Sequence, residues 1–403
     1  MDKKFFFFLI ALFAGFVNYC TAQVGDTTGK TAAVSAAALP LPEDHIRISF
    51  VTCGPGFEEI YQVFGHTAVR IIDSSKQTDL VYNYGTFNGF EENFELQFMR
   101  GKLLYYLSVY PFNAFIEEYV EQKRSVSERE LLITAAEKKE IKSFLEWNAL
   151  PENRGYKYDF FFDNCATRIR DIFPEALGKN FKYGPLLPAS SRITFRNIIN
   201  QYFYTTLWER FGINILLGSR IDRVMTDKDI MFLPDYLEKS IGASALNGLN
   251  VTDQAQRLLP GNPPPTAPVD GPFLLTCGIA ILTIAGLSVK KLKLLGNVMS
   301  KTLLFITGLL GCLILVMWFG TDHQGCGNNF NVLWALPTNI YIAFAKPKGK
   351  ERYAIVAMGL IFITVVLHIT GVQQLILKEF SPLLLALLYI YGTIYKQSTI
   401  KTN

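Results

Sequence analysis

Cys165 stands directly after Asn164 in YDFFFDNCATRIRDIFP (Tyr158–Pro174), between an aromatic run and a stretch that reads as helix. Asn is a favoured N-cap, so Cys165 is expected as the first helical residue, with Pro174 ending the helix. At a first turn the unsatisfied N–H groups and the helix dipole favour an anion. A thiol placed there is expected to have a lowered pKa, and the thiolate is the nucleophile. The same N–H groups can hold the oxyanion of a tetrahedral intermediate. Asn164, Thr167 and Arg168 are the neighbouring candidates for that role, and Arg168 and Arg170 bring positive charge.

A thiol nucleophile needs a base, and imidazole suits neutral pH. The chain has four His. His66 opens a strand-like segment in YQVFGHTAVRI, and Gly65 before it permits close approach of another backbone or a ligand. A His in such a strand is often only a satisfied core residue. If Cys165 is catalytic, scarcity makes His66 its first partner and His45 its second. Asn83, in the neighbouring strand, could orient the ring. The opposing reading of the cysteines is a Cys53–Cys165 disulfide, which an exported domain could form. Metal-ligand spacings are absent, and CGPG (Cys53–Gly56) lacks the Lys and helix of a phosphate-binding P-loop.

Strands must carry the histidine. IRISFVT (46–52), HTAVRII (66–72), DLVYNYG (79–85) and KLLYYLSVY (102–110) have strand patterning, and SERELLIT (127–134) is a fifth candidate. Thr134 and Glu137 have capping-box spacing, so a helix starts there. Strands early and helices around them predict an α+β domain. The aromatic groups YNYGTF and YDFFF read mainly as core.

The ends of the chain give its setting. Lys3 and Lys4, an apolar run from Phe5 to Val17, and small residues Cys20 and Ala22 make residues 1–22 a secretory signal peptide. Residues 23–259 have the composition of a water-soluble domain, and 260–272 are a proline-rich linker. From 273 to 403 come apolar segments near 273–289, 302–320, 331–345, 353–370 and 382–395, a membrane domain of about five helices. Lys and Arg cluster in the first and third connections and at the C-terminus, which places those sides in the cytoplasm and the large domain outside. Asp322, His323 and His368 then lie on the outer side, as candidates for headgroup binding or for docking the outer domain. The chain is half hydrophobic with a net charge of +4, which offers no argument for nucleic acid.

The order, His on a strand and then Cys at a helix start, resembles circularly permuted papain-like (NlpC/P60) thiol enzymes. More specifically, TCGPGFEEIYQVFGHTAVRI, VYNYGTF, PENRGYKYDFFFDNCATR and MFLPDYL, with WFGTDHQGCGNNFNVLWALPTN in the membrane part, resemble the Lnb-type lipoprotein N-acyltransferases. The resemblance implies a Cys165/His66 pair that moves an acyl chain from a phospholipid to the free amino group of a diacylated lipoprotein, without a cofactor. Hydrolysis by the same dyad (a phospholipase, or a peptidoglycan amidase or endopeptidase) and a non-catalytic membrane-anchored binding module are the alternatives.

Overall fold

A computed structural model describes residues 44–89, 93–102, 104–345 and 349–400; the expected signal segment lies outside them. The chain divides into two compact units. One is Met1–Glu95, Leu103–Leu187 and Asp227–Pro263; the other is Leu96–Lys102, Pro188–Thr226 and Pro264–Asn403.

The first unit is built on a seven-stranded sheet. Its strands are β1 (Ile46–Cys53), β2 (His66–Asp73), β3 (Thr78–Phe87), β4 (Leu104–Pro111), β5 (Val126–Glu130), β6 (Gly155–Lys157) and β7 (Gln256–Leu259). They lie in the order β7-β5-β1-β2-β3-β4-β6, and all pairs are antiparallel. Six consecutive residues of β1, from Ile48 to Cys53, are buried, so both faces of the sheet are covered there. On one face α1 (Phe112–Glu121) packs Phe112, Phe115 and Tyr119 against Val51, Cys53, Ala68 and Val81. Each buried Phe stabilises by roughly 2–3 kcal/mol. α2 (Ala135–Asn148) and α4 (Pro234–Gly242) contact β1, and α3 (Cys165–Leu177) contacts β2 and β3. The α+β class expected from the patterning is the fold observed. Thr134 starts α2 as its spacing predicts: its Oγ1 accepts from Glu137 N at 3.3 Å, and its own N–H donates to the Glu137 carboxylate at 2.7 Å.

α3 differs from expectation at its far end. Pro174 does not stop it; the helix runs on to Leu177. A proline inside a helix leaves a carbonyl four residues back without its N–H. That carbonyl, Arg170 O, accepts instead from the Tyr183 hydroxyl at 2.5 Å.

The second unit is helical. Among the described residues four helices are long and apolar enough to cross a membrane. They are α5 (Gly271–Ser288), α6 (Lys293–Phe319), α8 (Glu351–Ile369) and α9 (Leu377–Ile400), with α7 (Asn339–Phe344) between α6 and α8. Four of the five expected apolar segments are therefore long helices. The remaining one, 331–345, is broken into a 3-10 turn (Phe330–Leu333) and the six-residue α7. Broken backbone in a membrane protein needs internal partners. Buried side chains supply them: Asn329 Oδ1 accepts from Asn331 N at 3.0 Å, and Lys350 Nζ donates to Ile342 O and Ala345 O. Gly311 makes room, since a Cβ there would lie 1.8 Å from Ala335 O.

Residues 188–226, expected within the outer domain, belong to this helical unit. Arg196 is 1% exposed and pairs with Asp222 at 2.8 Å, while Asn329 Nδ2 holds Ile215 O and Leu216 O at 2.9 Å each. Arg210 pairs with the buried Glu379.

Candidate active site

The start of α3 is locked from both sides. Asn164 Oδ1 accepts from Thr167 N at 2.9 Å, and Thr167 Oγ1 accepts from Asn164 N at 2.7 Å. Asn164 Nδ2 donates to Phe160 O and to Phe232 O, at 2.8 and 2.9 Å. The polar groups of Asn164 and Thr167 are thus committed to seating the helix start. The backbone N–H groups of Cys165, Ala166 and Thr67 are left to face the Cys165 sulfur.

His66 is the first residue of β2, and its Nε2 lies 2.6 Å from Asn83 Oδ1. Asn83 Nδ2 donates to Tyr110 Oη at 2.8 Å, which fixes the amide so that its oxygen faces the ring. Nε2–H therefore donates, and Nδ1 carries the lone pair a base needs.

The sheet opens where these groups meet. β2 and β3 pair only from Val69↔Tyr82 onward, and β3 shifts register against β4 between Asn83 and Thr86. Gly85 sits in that irregularity with φ +94, a left-handed conformation that glycine adopts without strain. A Cβ at Gly85 would lie 3.6 Å from Cys165 Cβ and 3.8 Å from His66 Cε1. The Cys165 side chain and the His66 imidazole thus both border the small space that the missing side chain leaves open.

Burial sets the charge state. It pushes the Cys165 thiol up to about 11, although three backbone N–H groups pull the other way. It pushes the His66 imidazole down to about 4, against the Asn83 hydrogen bond. The resting pair is thiol and neutral imidazole. The lowered thiol pKa expected from the helix start is overridden by desolvation, which no local pattern reveals.

The other candidates fall elsewhere. Arg168 makes a two-point pair with Asp163, at 2.5 and 2.6 Å, and lies over the Tyr156 ring. His45 Nε2 is 3.7 Å from Asp73 Oδ1, at the opposite end of β2 from His66, so it cannot serve Cys165. Cys53 and Cys165 form no disulfide. The Cys53 thiol is fully buried, hydrogen-bonded to Tyr119 and pushed up to about 12 by burial. In the helical unit, Asp322 N donates to Arg100 O at 2.8 Å, and His323 Nε2 lies 3.1 Å from both Phe98 O and Met99 O. His368 Nδ1 accepts from Leu375 N at 2.9 Å. Both imidazoles hold backbone.

Family comparison agrees with this layout. The Lnb N-terminal periplasmic domain matches residues 41–201, and the Lnb transmembrane domain matches residues 265–402. The chain belongs to the Lnb family. No curated protein and no solved structure matches it. Like its family, it is a multi-pass inner-membrane protein with a periplasmic domain. His66, Asn83 and Cys165 fall in the periplasmic match, and Asp322, His323 and His368 in the transmembrane one.

Three parts of this Lnb-family site escaped the sequence reading: Thr67 N–H at the sulfur, Tyr110 behind Asn83, and the space at Gly85. Only Gly85 left a trace, as a glycine interrupting a strand pattern.

Proposed function

We propose that the protein is a lipoprotein N-acyltransferase. Its donor is a phospholipid, its acceptor the α-amino group of a diacylglyceryl-cysteine lipoprotein, and its covalent carrier Cys165. As Sγ attacks the donor ester carbonyl, His66 Nδ1 takes the thiol proton. Backbone N–H groups at the α3 start face the reacting sulfur and can stabilise the oxyanion. Collapse of the intermediate breaks the ester C–O bond. The lysophospholipid oxygen leaves with the proton from His66, and the acyl group stays as a thioester. The lipoprotein amine then attacks, His66 removes its proton, and the C–S bond breaks to give the amide and a thiol reprotonated by His66.

The observation that carries this reading is the Cys165–His66–Asn83 arrangement within an Lnb-family chain. Low exposure of the thiol, 8%, favours transfer over hydrolysis because water reaches a buried thioester poorly. Membrane spans suit the task, since donor and acceptor are both lipid-anchored. Carrying a sixteen-carbon chain through water costs on the order of 10 kcal/mol, at ~0.8 kcal/mol per methylene.

The test is mass spectrometry of the purified full chain mixed with phospholipid, then with a diacylated lipopeptide. A thioester on Cys165 that passes to the lipopeptide amine, and is absent in Cys165→Ala, is expected. Release of free fatty acid without amide formation would identify a phospholipase, and lack of any adduct would remove the acyl-enzyme route.

A further inference from the structure

Arg124 lies just before β5 and is 5% exposed. Its Nε–H donates to Gly54 O at 2.9 Å and its Nη1 to Gln122 Oε1 at 3.0 Å, while the guanidinium lies 4.8 Å over the Tyr119 ring. Nη2 is buried and has no hydrogen-bond partner. Among the described residues no carboxylate forms an ion pair with Arg124; Glu118, which like Arg124 lies near Cys53, accepts from Gln122 Nε2 at 3.1 Å. A buried cation without a counterion is costly, and so is a buried donor left unpaired. A group that supplies both a negative charge and an acceptor removes both penalties.

The location gives that group its identity. Gly54 directly follows Cys53, and Cys53 is the register partner of His66. Arg124 therefore holds the loop that begins at the base. That loop fits closely against it: a Cβ at Gly56 would come within 3.0 Å of Arg124 Cδ, and one at Gly54 within 2.1 Å of Ser125 Oγ. In a glycerophospholipid the phosphodiester is separated from the scissile ester by the short glycerol backbone. A donor whose ester carbonyl lies at Cys165 needs an anion site a few bonds away.

We propose that Arg124, through Nη2, binds the phosphodiester of the phospholipid donor beside the Cys165–His66 pair. The proposal rests on the acyl-transfer reading above and extends it to donor selection. Guanidinium suits the role because it keeps its charge when buried and presents donors in a fixed plane. Arg124 also bears on the base, since its charge adds to the depression of the His66 pKa. A bound phosphate monoanion beside it opposes that effect, so donor binding makes His66 a better proton acceptor.

The test uses the full chain in detergent micelles with two donors of identical acyl chains, a phospholipid and the diacylglycerol that lacks its phosphate. Cys165 acylation is followed by mass. The proposal expects wild type to prefer the phospholipid. Arg124→Gln should lower the phospholipid-to-diacylglycerol ratio at least tenfold, mainly through KM, and Arg124→Lys should recover part of it. An unchanged ratio in Arg124→Gln, with both donors slowed together or neither slowed, overturns it. Thermal shift of the same chain with glycerophosphoethanolamine, inorganic phosphate or glycerol reads binding independently of chemistry, so it stands even if Cys165 is never acylated. Stabilisation by the phosphodiester that is lost in Arg124→Gln supports the site. Equal stabilisation by inorganic phosphate makes it a free-phosphate site and overturns the lipid assignment. No Arg124-dependent shift overturns the site altogether.

Discussion

His66 Nε2 and Asn83 Oδ1 meet at 2.6 Å at the end of the sheet where β2 and β3 have ceased to pair. The contact holds the imidazole plane and leaves Nδ1 unprotonated. Asn83→Ala should leave the thiol accessible to small alkylating agents yet lower the acylation rate by up to about a hundredfold, the lower range of general-base contributions. Single-turnover acylation of the variant measures this, and a rate equal to wild type removes Asn83 from the mechanism.

The charge state of the pair gives a pH signature. With the imidazole near 4 and the thiol near 11, both are neutral across the physiological range. Iodoacetamide should alkylate Cys165 slowly at pH 7 and faster as pH climbs toward 11. A plateau reached already by pH 6 would contradict a neutral pair. Stability follows with a definite sign. His66 has a lower pKa folded than its ordinary 6.5, so its contribution is fully present above 6.5 and is lost as pH falls toward 4. His66→Gln should flatten that part of the Tm-versus-pH curve.

Gly85→Ala tests the shared space. An alanine there must keep φ +94, and its methyl would touch both Cys165 and His66. A cost of about 1–2 kcal/mol in stability is expected from the left-handed backbone alone. Acylation should fall further than stability accounts for. Denaturant melts and acylation rates on one preparation separate the two effects, and full activity in the alanine variant would show that the pair does not meet there.

Tyr183 and Pro174 form a double-mutant cycle. Tyr183→Phe should cost about 1 kcal/mol, since Arg170 O loses the hydroxyl donor that faces it. Pro174→Ala restores a backbone N–H for that carbonyl, so the tyrosine substitution should cost less in its background. Equal costs in the two backgrounds would mean that the hydroxyl does not stand in for the missing amide.

Local physics was legible in the sequence where neighbours in the chain decide the outcome. Asn164 and Thr134 cap helices because their partners lie three residues ahead. His66, Asn83 and Cys165 could be singled out by residue type and by family resemblance. What escaped depends on residues far along the chain. Pro174 is tolerated because of Tyr183, and the thiol is un-ionised because tertiary packing dries it. The segment 331–345 is apolar enough to suggest a span, but hydropathy does not report helicity; buried Asn329 and Lys350 bond its backbone and let it break. Residues 188–226 looked soluble in composition, yet Arg196 and Asn214 are hydrogen-bonded inside the helical unit and Arg210 pairs with Glu379 there.

The bond from Asn164 Nδ2 to Phe232 O joins the cap of the Cys165 helix to a residue 68 positions later. During export the cysteine emerges long before the carbonyl that secures its neighbour. A nascent chain halted anywhere between them carries the thiol without its finished seat. The seat of the thiol is therefore completed late in biogenesis, only after translocation has passed Phe232.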